Sequence, residues 1–202
     1  MIEIEKKFLL TDAQQQALLD GSRELGQKTV EDSYLDTDDY QLTTQDYWFR
    51  LRDGAYELKA PLRSISELNS ATNRYHELTT VEEICQELNL NNTGDFNSTL
   101  SIAGIKRFMT CLTNRTSYEK QGFHIDIDTA TYLDSHFEYA VAEIELLVND
   151  ESEADEAERR IIEFAKKFDL TTDRVVLGKV AAYLKAESTG HYDALVKAGV
   201  LK

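Results

Sequence analysis

The segment Glu-Ile-Glu-Lys-Lys at residues 3–7 decides the fold, because its charged side chains stand at alternate positions. Successive side chains of a β-strand point to opposite faces, so Glu3, Glu5 and Lys7 share one face of a strand and Ile4 lies on the other. The arrangement returns in Ala-Val-Ala-Glu-Ile-Glu, residues 140–145. Two such strands side by side would offer their carboxylates to one hard cation.

Basic residues alternate in the same way between these two segments. Arg50 and Arg52 belong to WFRLR, Lys59 follows Glu57 in YELK, and Arg115 lies in TNRTS. Arginine binds phosphate oxygens through forked hydrogen bonds, and lysine binds them as a point charge. The combined pattern indicates chemistry on a polyphosphate with a metal ion.

Length and charge limit the class of protein. The chain has 202 residues, of which 42% are hydrophobic, and this is enough to bury the core of one domain, residues 1–202. The net charge of −15 argues against a nucleic-acid or anionic-membrane surface, because attraction to phosphate polymers needs a basic field. No apolar stretch approaches the roughly 18 residues of a membrane span.

Cysteine content and the start of the chain bear on the compartment. Cys85 and Cys111 are too few for a disulfide framework, and the charged residues from Glu3 leave no room for an apolar secretory segment. We therefore expect a cytoplasmic protein, a monomer or weak dimer, whose partner is a small molecule and not nucleic acid or membrane.

Alternating patterns rich in aromatic and β-branched residues predict eight strands. Asp53-Gly54 and Gln121-Gly122 predict hairpins between neighbouring strands, so the sheet is expected to be antiparallel. The predicted strands cover about residues 2–9, 29–37, 46–52, 55–61, 73–79, 106–119, 123–129 and 138–148.

Capping signals predict the helices. Thr11 with Gln14 and Thr80 with Glu83 are typical of capping boxes at the starts of short surface helices. C-terminal helices are expected from about residue 150, the first of them over an apolar stripe at Ile161, Phe164, Ala165 and Phe168, then over 175–185 and near Ala194. The polar stretch Asn89 to Ser98 is predicted to be a loop.

The charged faces of the strands fit two architectures. In an ordinary sandwich each charged face would point to solvent. If the amphipathic helices instead cover the outside of a closed sheet, the charged faces line its interior. Because carboxylates and basic groups recur on one face of so many strands, we predict an α+β protein. Its core would be an eight-stranded antiparallel closed barrel with a charged tunnel and helices packed outside.

The ordered series of motifs resembles the CYTH superfamily of triphosphate tunnel metalloenzymes over almost the whole chain. The motifs are ExExK at 3–7, Tyr-Leu-Asp-Thr at 34–37, Arg50-x-Arg52, Glu57-x-Lys59, Arg74 in NRYHEL, Arg115, Asp126-x-Asp128 and Glu143-x-Glu145. The resemblance implies a tunnel that binds a triphosphate with a divalent cation. It leaves both triphosphate hydrolysis and adenylate cyclisation open.

Within that superfamily the runs EIEKKFL, YELKAP and YAVAEIELLV look most like the thiamine triphosphatases. This implies hydrolysis of thiamine triphosphate to thiamine diphosphate and phosphate, with Trp48 stacking on the thiamine group. As the lone tryptophan of the chain, Trp48 is equally compatible with simple packing. The alternatives are an inorganic tripolyphosphatase and a class IV adenylate cyclase converting ATP to cyclic AMP and pyrophosphate.

Roles for individual residues follow from the resemblance and from the preference of Mg²⁺, or Mn²⁺, for oxygen ligands. The expected metal ligands, not all of them direct, are Glu3, Glu5, Asp126, Glu143 and Glu145. The expected substrate-binding residues are Lys7, Trp48, Arg50, Arg52, Lys59, Arg74, Arg115 and Lys179.

Catalysis is expected to involve Lys7, Tyr34 and Lys59. Lys7 and Tyr34 match a lysine–tyrosine pair implicated in catalysis in thiamine triphosphatases, and crowding by cations in a tunnel would lower the pKa of Lys7 toward that of a useful base. The alternative is that Lys7 is one more phosphate contact and Tyr34 a packed strand residue. Asp36 and Glu57 are expected at most to orient neighbouring cations.

Overall fold

Eight antiparallel strands form a closed β-barrel. The computed structural model describes residues 2–61 and 73–201. The strands are β1 Ile2–Phe8, β2 Arg23–Asp36, β3 Trp48–Arg52, β4 Ala55–Pro61, β5 Asn73–Leu78, β6 Lys106–Lys120, β7 Phe123–Tyr132 and β8 Ser135–Val148. They pair in the order β1-β5-β4-β3-β2-β6-β7-β8, and β8 returns to β1. The predicted barrel is confirmed.

The pairing of β1 with β8 closes the barrel and sets its interior face. Glu5 lies opposite Glu145, and Lys7 lies opposite Glu143. Ile4 and Ile144, on the other face of the same strands, are fully buried among apolar residues outside the barrel. Each of these two strands therefore has a charged inner face and an apolar outer face, as the alternating residue pattern predicts.

Three strand boundaries extend beyond the prediction. β2 begins at Arg23 and not at residue 29, because residues 23–29 continue pairing with β6 as far as Arg23 opposite Glu119. These added residues are exposed, so they carry no apolar alternation that would reveal a strand. β7 and β8 likewise extend toward each other, to Tyr132 and Ser135, and form a short hairpin.

In the part of the chain that the structure describes there are six α-helices. They are α1 Asp12–Leu19, α2 Val81–Glu87, α3 Phe96–Ile102, α4 Ala154–Lys166, α5 Lys179–Glu187 and α6 Thr189–Ala198. Both predicted capping boxes, at Thr11 and Thr80, are confirmed. None of the described helices has the length and apolar character to cross a membrane.

The prediction of a loop over Asn89 to Ser98 is wrong at its C-terminal end, where α3 begins. Asp95 is the N-cap residue, and its carboxylate accepts a hydrogen bond of 3.0 Å from the amide of Ser98. Such a cap contributes about 1 kcal/mol. Leu100 is buried in an apolar cluster that covers β3 and β4, so tertiary packing adds to the local cap.

Helix α4 covers the outer face of β1 and β8. Ile161, Phe164 and Ala165 are buried there against Ile4 and Ile144. Full burial of an isoleucine or phenylalanine side chain contributes roughly 1.5–3 kcal/mol. The amphipathic stripe of α4 thus fixes the strands that carry the two carboxylate pairs.

Helix α5 lies against the interior-facing residues at one end of the barrel. Val180 and Leu184 pack with Tyr34, Cys111 and Tyr132. The hydroxyl of Tyr132 donates a 2.7 Å hydrogen bond to the carbonyl of Lys179, the first residue of α5. This contact holds the start of the helix at the tunnel.

Candidate functional site

Three carboxylates from adjacent strands converge inside the barrel. The ligand oxygens of Glu3, Glu5 and Glu145 all lie within 4.8 Å of one another. Burial, together with the charges of Glu3 and Asp126, raises the pKa of Glu145 to about 9. Glu145 therefore keeps a proton at neutral pH unless a cation replaces it.

This group fits a divalent cation that prefers oxygen. Ligands around a magnesium ion with metal–oxygen distances of about 2.1 Å are roughly 3–4 Å apart, so small side-chain movements would bring the three carboxylates onto one ion. A second group, His124 with Asp126 and Glu145, shares Glu145 with the first. The residue pattern gave no sign of His124, because the four histidines lack zinc-site spacing.

Glu143 and Asp126, the other two predicted metal ligands, both contact the cation of Arg115. Arg115 donates a 2.8 Å hydrogen bond to Glu143 and forms an ion pair with Asp126. Burial alone would raise the pKa of Glu143, but Lys179, Lys7 and Arg115 hold it well below its usual value. Both residues lie beside the carboxylate group of Glu3, Glu5 and Glu145 without being part of that trio.

Arg50 and Arg52 both point into the barrel. Arg52 forms a forked pair of hydrogen bonds, 2.7 and 2.8 Å long, with Asp32. Arg50 donates hydrogen bonds of 2.8 and 2.6 Å to Glu57. Asp32 is fully buried and was not predicted, although it stands on the same strand face as Tyr34, two residues away. It fixes the guanidinium plane of Arg52.

A second cation pair surrounds Asp128. Arg115 binds this carboxylate through two hydrogen bonds of 2.7 and 2.6 Å, and Lys179 forms a short ion pair with the same group. Lys179 is the first residue of α5, so the helix brings a cation to the strand residues. The Asp126-x-Asp128 alternation was the sequence signal for Asp128, but only the structure shows that it orients cations.

Lys59 and Lys7 contact the expected metal ligands. The ammonium of Lys59 lies 2.6 Å from Glu3 and 3.6 Å from Glu5. Lys7 forms a short ion pair with Glu5 and lies 3.8 Å from Glu143. Lysines and carboxylates therefore neutralise one another along the tunnel wall.

The expectation of a lowered pKa at Lys7 is wrong. Burial alone would lower it, but Glu5 and Glu143 raise the pKa of Lys7 above its ordinary value. The pKa of Tyr34 is also raised, by burial and by Asp32. Both side chains are thus protonated at neutral pH in this structure, so Lys7 is a cation here and not a free base.

Arg74, predicted to bind substrate, lies on the outer face of β5. Its guanidinium is 2.8 Å from Asp155 and forms a second ion pair with Glu158, and both partners belong to α4. The neighbouring Tyr75 points inward, because adjacent strand residues face opposite sides. Arg74 therefore joins the barrel to a helix, and the structure corrects its assignment as a phosphate contact.

Asp36, expected to orient a cation, organises a turn instead. Its carboxylate accepts hydrogen bonds from the amides of Leu42 and Thr43, at 2.8 and 2.9 Å. The turn leads through a 3₁₀ segment, Thr43–Gln45, into β3.

Trp48 begins β3 on the inner face, opposite Lys59 in the neighbouring strand. Its indole nitrogen donates a 2.8 Å hydrogen bond to Asp46 and lies 3.1 Å from the hydroxyl of Tyr75. The ring is only partly buried. An aromatic surface thus adjoins the cations and carboxylates of the tunnel. The sequence did not predict these roles for Asp46 and Tyr75. They meet only because the turn before β3 positions Asp46 and because Tyr75 lies on the inner face of β5.

The CYTH domain family matches residues 1–176 of the chain. Thiamine-triphosphatase from Homo sapiens is 28% identical over 215 residues, which cover 98% of this chain and 90% of that protein. The PH1819 protein from Pyrococcus horikoshii has the same fold, with a TM-score of 0.63 and 18% identity over 92% of this chain and 99% of that one.

A further solved structure is a putative adenylyl cyclase from Hippeastrum, described as having a dominant triphosphatase activity. It aligns with a TM-score of 0.54 and 16% identity, over 92% of this chain and 95% of that one. The matched family domain covers most of the chain, including all eight strands and α4. The protein belongs to the CYTH family.

Proposed function

We propose that the protein hydrolyses thiamine triphosphate to thiamine diphosphate and phosphate, with Mg²⁺ or Mn²⁺ as cofactor. The observation that carries the proposal is the position of Trp48, which faces the tunnel beside Lys59. A flat ring next to a cationic phosphate-binding wall suits a triphosphate attached to a cationic heteroaromatic group. The similarity to human thiamine-triphosphatase supports the same substrate.

Four cations on three sides of the barrel would bind the phosphate groups: Arg50, Arg52, Arg115 and Lys179. The forked hydrogen bonds from Asp32 and Asp128 hold the guanidinium groups of Arg52 and Arg115 before substrate arrives. Preorganised cations stabilise charge that develops on the transferring phosphoryl group without reorganisation during the reaction.

Glu3, Glu5 and Glu145 would hold the divalent cation, with Asp126 and Glu143 supporting it through neighbouring groups. When bound, the cation supplies charge neutralisation on the phosphate oxygens and activation of water. Lys59 and Lys7 now pair with Glu3 and Glu5. Binding of metal and substrate would transfer these lysines from carboxylate to phosphate, so charge stays balanced throughout.

Two lysines, Lys7 and Lys59, would act on the substrate as cations. Tyr34 would act on it through its hydroxyl group. The raised pKa values of Lys7 and Tyr34 favour roles as hydrogen-bond donors over that of a free base. A water molecule would attack the terminal phosphorus in line with the departing diphosphate, whose oxygens face the arginine side chains. The chain would work as one unit, since α5 contributes Lys179 to the tunnel.

Inorganic tripolyphosphate would bind the same cations without needing Trp48, and solved structures named putative adenylate cyclases share the fold. Both activities are therefore alternatives to the proposal.

The Trp48→Ala variant separates hydrolysis of thiamine triphosphate from hydrolysis of tripolyphosphate. We expect kcat/KM for thiamine triphosphate to fall by roughly 1–3 kcal/mol, about 5- to 150-fold, from lost stacking. Hydrolysis of tripolyphosphate should change less than about twofold. An equal loss on both substrates would contradict the proposal and assign Trp48 a structural role.

A further inference from the structure

Asp46 is held in one position beside Trp48. It follows the 3₁₀ segment Thr43–Gln45 with a backbone φ of 64°, and its amide donates a 3.0 Å hydrogen bond to the carbonyl of Thr43. Aspartate is one of the few residues besides glycine that adopt this left-handed conformation readily. The direction of its carboxylate is set by hydrogen bonds from Trp48 and Tyr75.

The partners of the Asp46 carboxylate are neutral. Its Oδ1 atom accepts a 2.8 Å hydrogen bond from the Trp48 indole and a 2.9 Å hydrogen bond from the Tyr75 hydroxyl. Over residues 2–61 and 73–201, no lysine, arginine or histidine nitrogen forms an ion pair with it. By contrast, Asp32 and Asp128 each bind an arginine at less than 3 Å.

A carboxylate without a cationic partner, partly shielded from water, is unfavourable unless a positive charge arrives. Burial raises the pKa of Asp46, and the hydrogen bonds from Trp48 and Tyr75, with a smaller contribution from Lys7, offset this only in part. An additional phosphate group would be repelled at this point, whereas a ligand cation over the indole face would interact with both the ring and the carboxylate.

We propose that Asp46, held by Trp48 and Tyr75, is the residue that selects triphosphates whose organic group carries a permanent positive charge. This rests on the proposed function, in which the triphosphate chain lies along Lys59 and the organic group lies against Trp48. Asp46 acts by its charge, and the aromatic ring acts by contact. The favoured class is a triphosphate ester of a cationic heteroaromatic alcohol, over inorganic tripolyphosphate and over esters with a neutral base.

Asp46→Asn is the matched variant, since asparagine keeps the Oδ1 acceptor and tolerates the left-handed backbone. Trp48 is the single tryptophan, so its fluorescence reports binding at this place directly. We would titrate wild type, Asp46→Asn and Asp38→Asn with thiamine diphosphate and with pyrophosphate, each with Mg²⁺. Asp38 lies on the surface beside Lys106 and controls for the change in net charge.

Asp46→Asn should weaken binding of thiamine diphosphate about 10- to 100-fold and change pyrophosphate binding less than about twofold. Asp38→Asn should match the wild type. Equal weakening of both ligands, or unchanged binding of thiamine diphosphate, would overturn the proposal. The titration needs no turnover, so failure to hydrolyse thiamine triphosphate would reject the proposed function, whereas the selective loss of affinity would still support the role of Asp46.

Discussion

Lys59 donates a 2.6 Å hydrogen bond to Glu3, so a cation expected to bind phosphate neutralises a carboxylate expected to bind metal. Lys7 and Glu5 form a pair of the same kind. A buried charge in such a tunnel is costly unless an opposite charge lies beside it. In the proposed function, metal and triphosphate would enter together, because the metal would supply positive charge to the carboxylates and the triphosphate negative charge to the lysines.

Metal affinity should depend on pH through Glu145. Its pKa of about 9 in the metal-free protein means that it binds a proton at pH 7, and a cation must displace that proton. Affinity for Mg²⁺ should therefore rise with pH between about pH 6 and pH 8, by up to about tenfold per unit.

Calorimetry in buffers of different ionisation enthalpy would measure this proton release directly. We expect close to one proton released per Mg²⁺ bound at pH 7, and none from the Glu145→Gln variant. Affinity that is independent of pH, with no proton released by the wild type, would show that Glu145 is not a ligand.

The interior cations should dominate the rate. Arg52→Ala and Lys59→Ala should each lower kcat/KM by about 10²–10³, the usual effect of removing a preorganised group from developing charge. Arg159 is a suitable control, because it forms two ion pairs with Glu156 and Glu163 on the exposed face of α4. Arg159→Ala should keep full activity. Near-normal kinetics in both tunnel variants would exclude these side chains from substrate binding.

Arg74 should matter for stability and not for the reaction. Arg74→Ala removes two ion pairs to α4, and we expect a loss of about 1 kcal/mol and a fall in Tm of about 2–4 °C. Differential scanning calorimetry and steady-state kinetics on the same preparation would separate the two effects. An unchanged Tm with a hundredfold loss of kcat/KM would restore the phosphate contact that the family resemblance implied.

Gly178, the residue before α5, should be sensitive to a single added methyl group. A Cβ atom there would lie 3.2 Å from Cε of Lys7, so alanine must displace that side chain. We expect kcat/KM to fall about tenfold, with little change in Tm, because small misplacements of phosphate-binding groups are costly to the rate. In α6, Gly190 has open space around its Cβ position, and Gly190→Ala should match the wild type in activity. Equal kinetics of both variants would show that the place of Lys7 is unimportant.

Strand alternation made most of the fold predictable. Apolar residues such as Ile4 and Ile144 mark the outer face of their strands, so the inward direction of Glu5 and Glu145 follows from spacing alone. Helix α3 lacked such a signal, because its seven residues include weak helix formers and depend on the Asp95 cap and the burial of Leu100. Local pattern could not supply that tertiary contribution.

The inward-facing residues of the site were predictable where one face of a strand is clearly apolar and the other clearly charged. They were not predictable where the strand pattern lacks this contrast or where the contact depends on another strand. Arg74 was expected to contact phosphate from the family resemblance, and its place on the outer face opposite Ile4 follows only from the register of β5 with β1. Asp32 and Asp128 act by orienting arginines across strand pairs, a relation that depends on register. Asp46 depends on a turn with a positive φ, which sequence spacing does not reveal.

The central claim is a metal-dependent triphosphatase selective for thiamine triphosphate. Its most direct test is one assay of phosphate, pyrophosphate and cyclic AMP released from thiamine triphosphate, tripolyphosphate and ATP, with Mg²⁺ and with chelator. The account predicts the highest kcat/KM for thiamine triphosphate, phosphate as the released product, and no activity with chelator. Equal or faster hydrolysis of tripolyphosphate, cyclic AMP from ATP, or full activity without metal would contradict it.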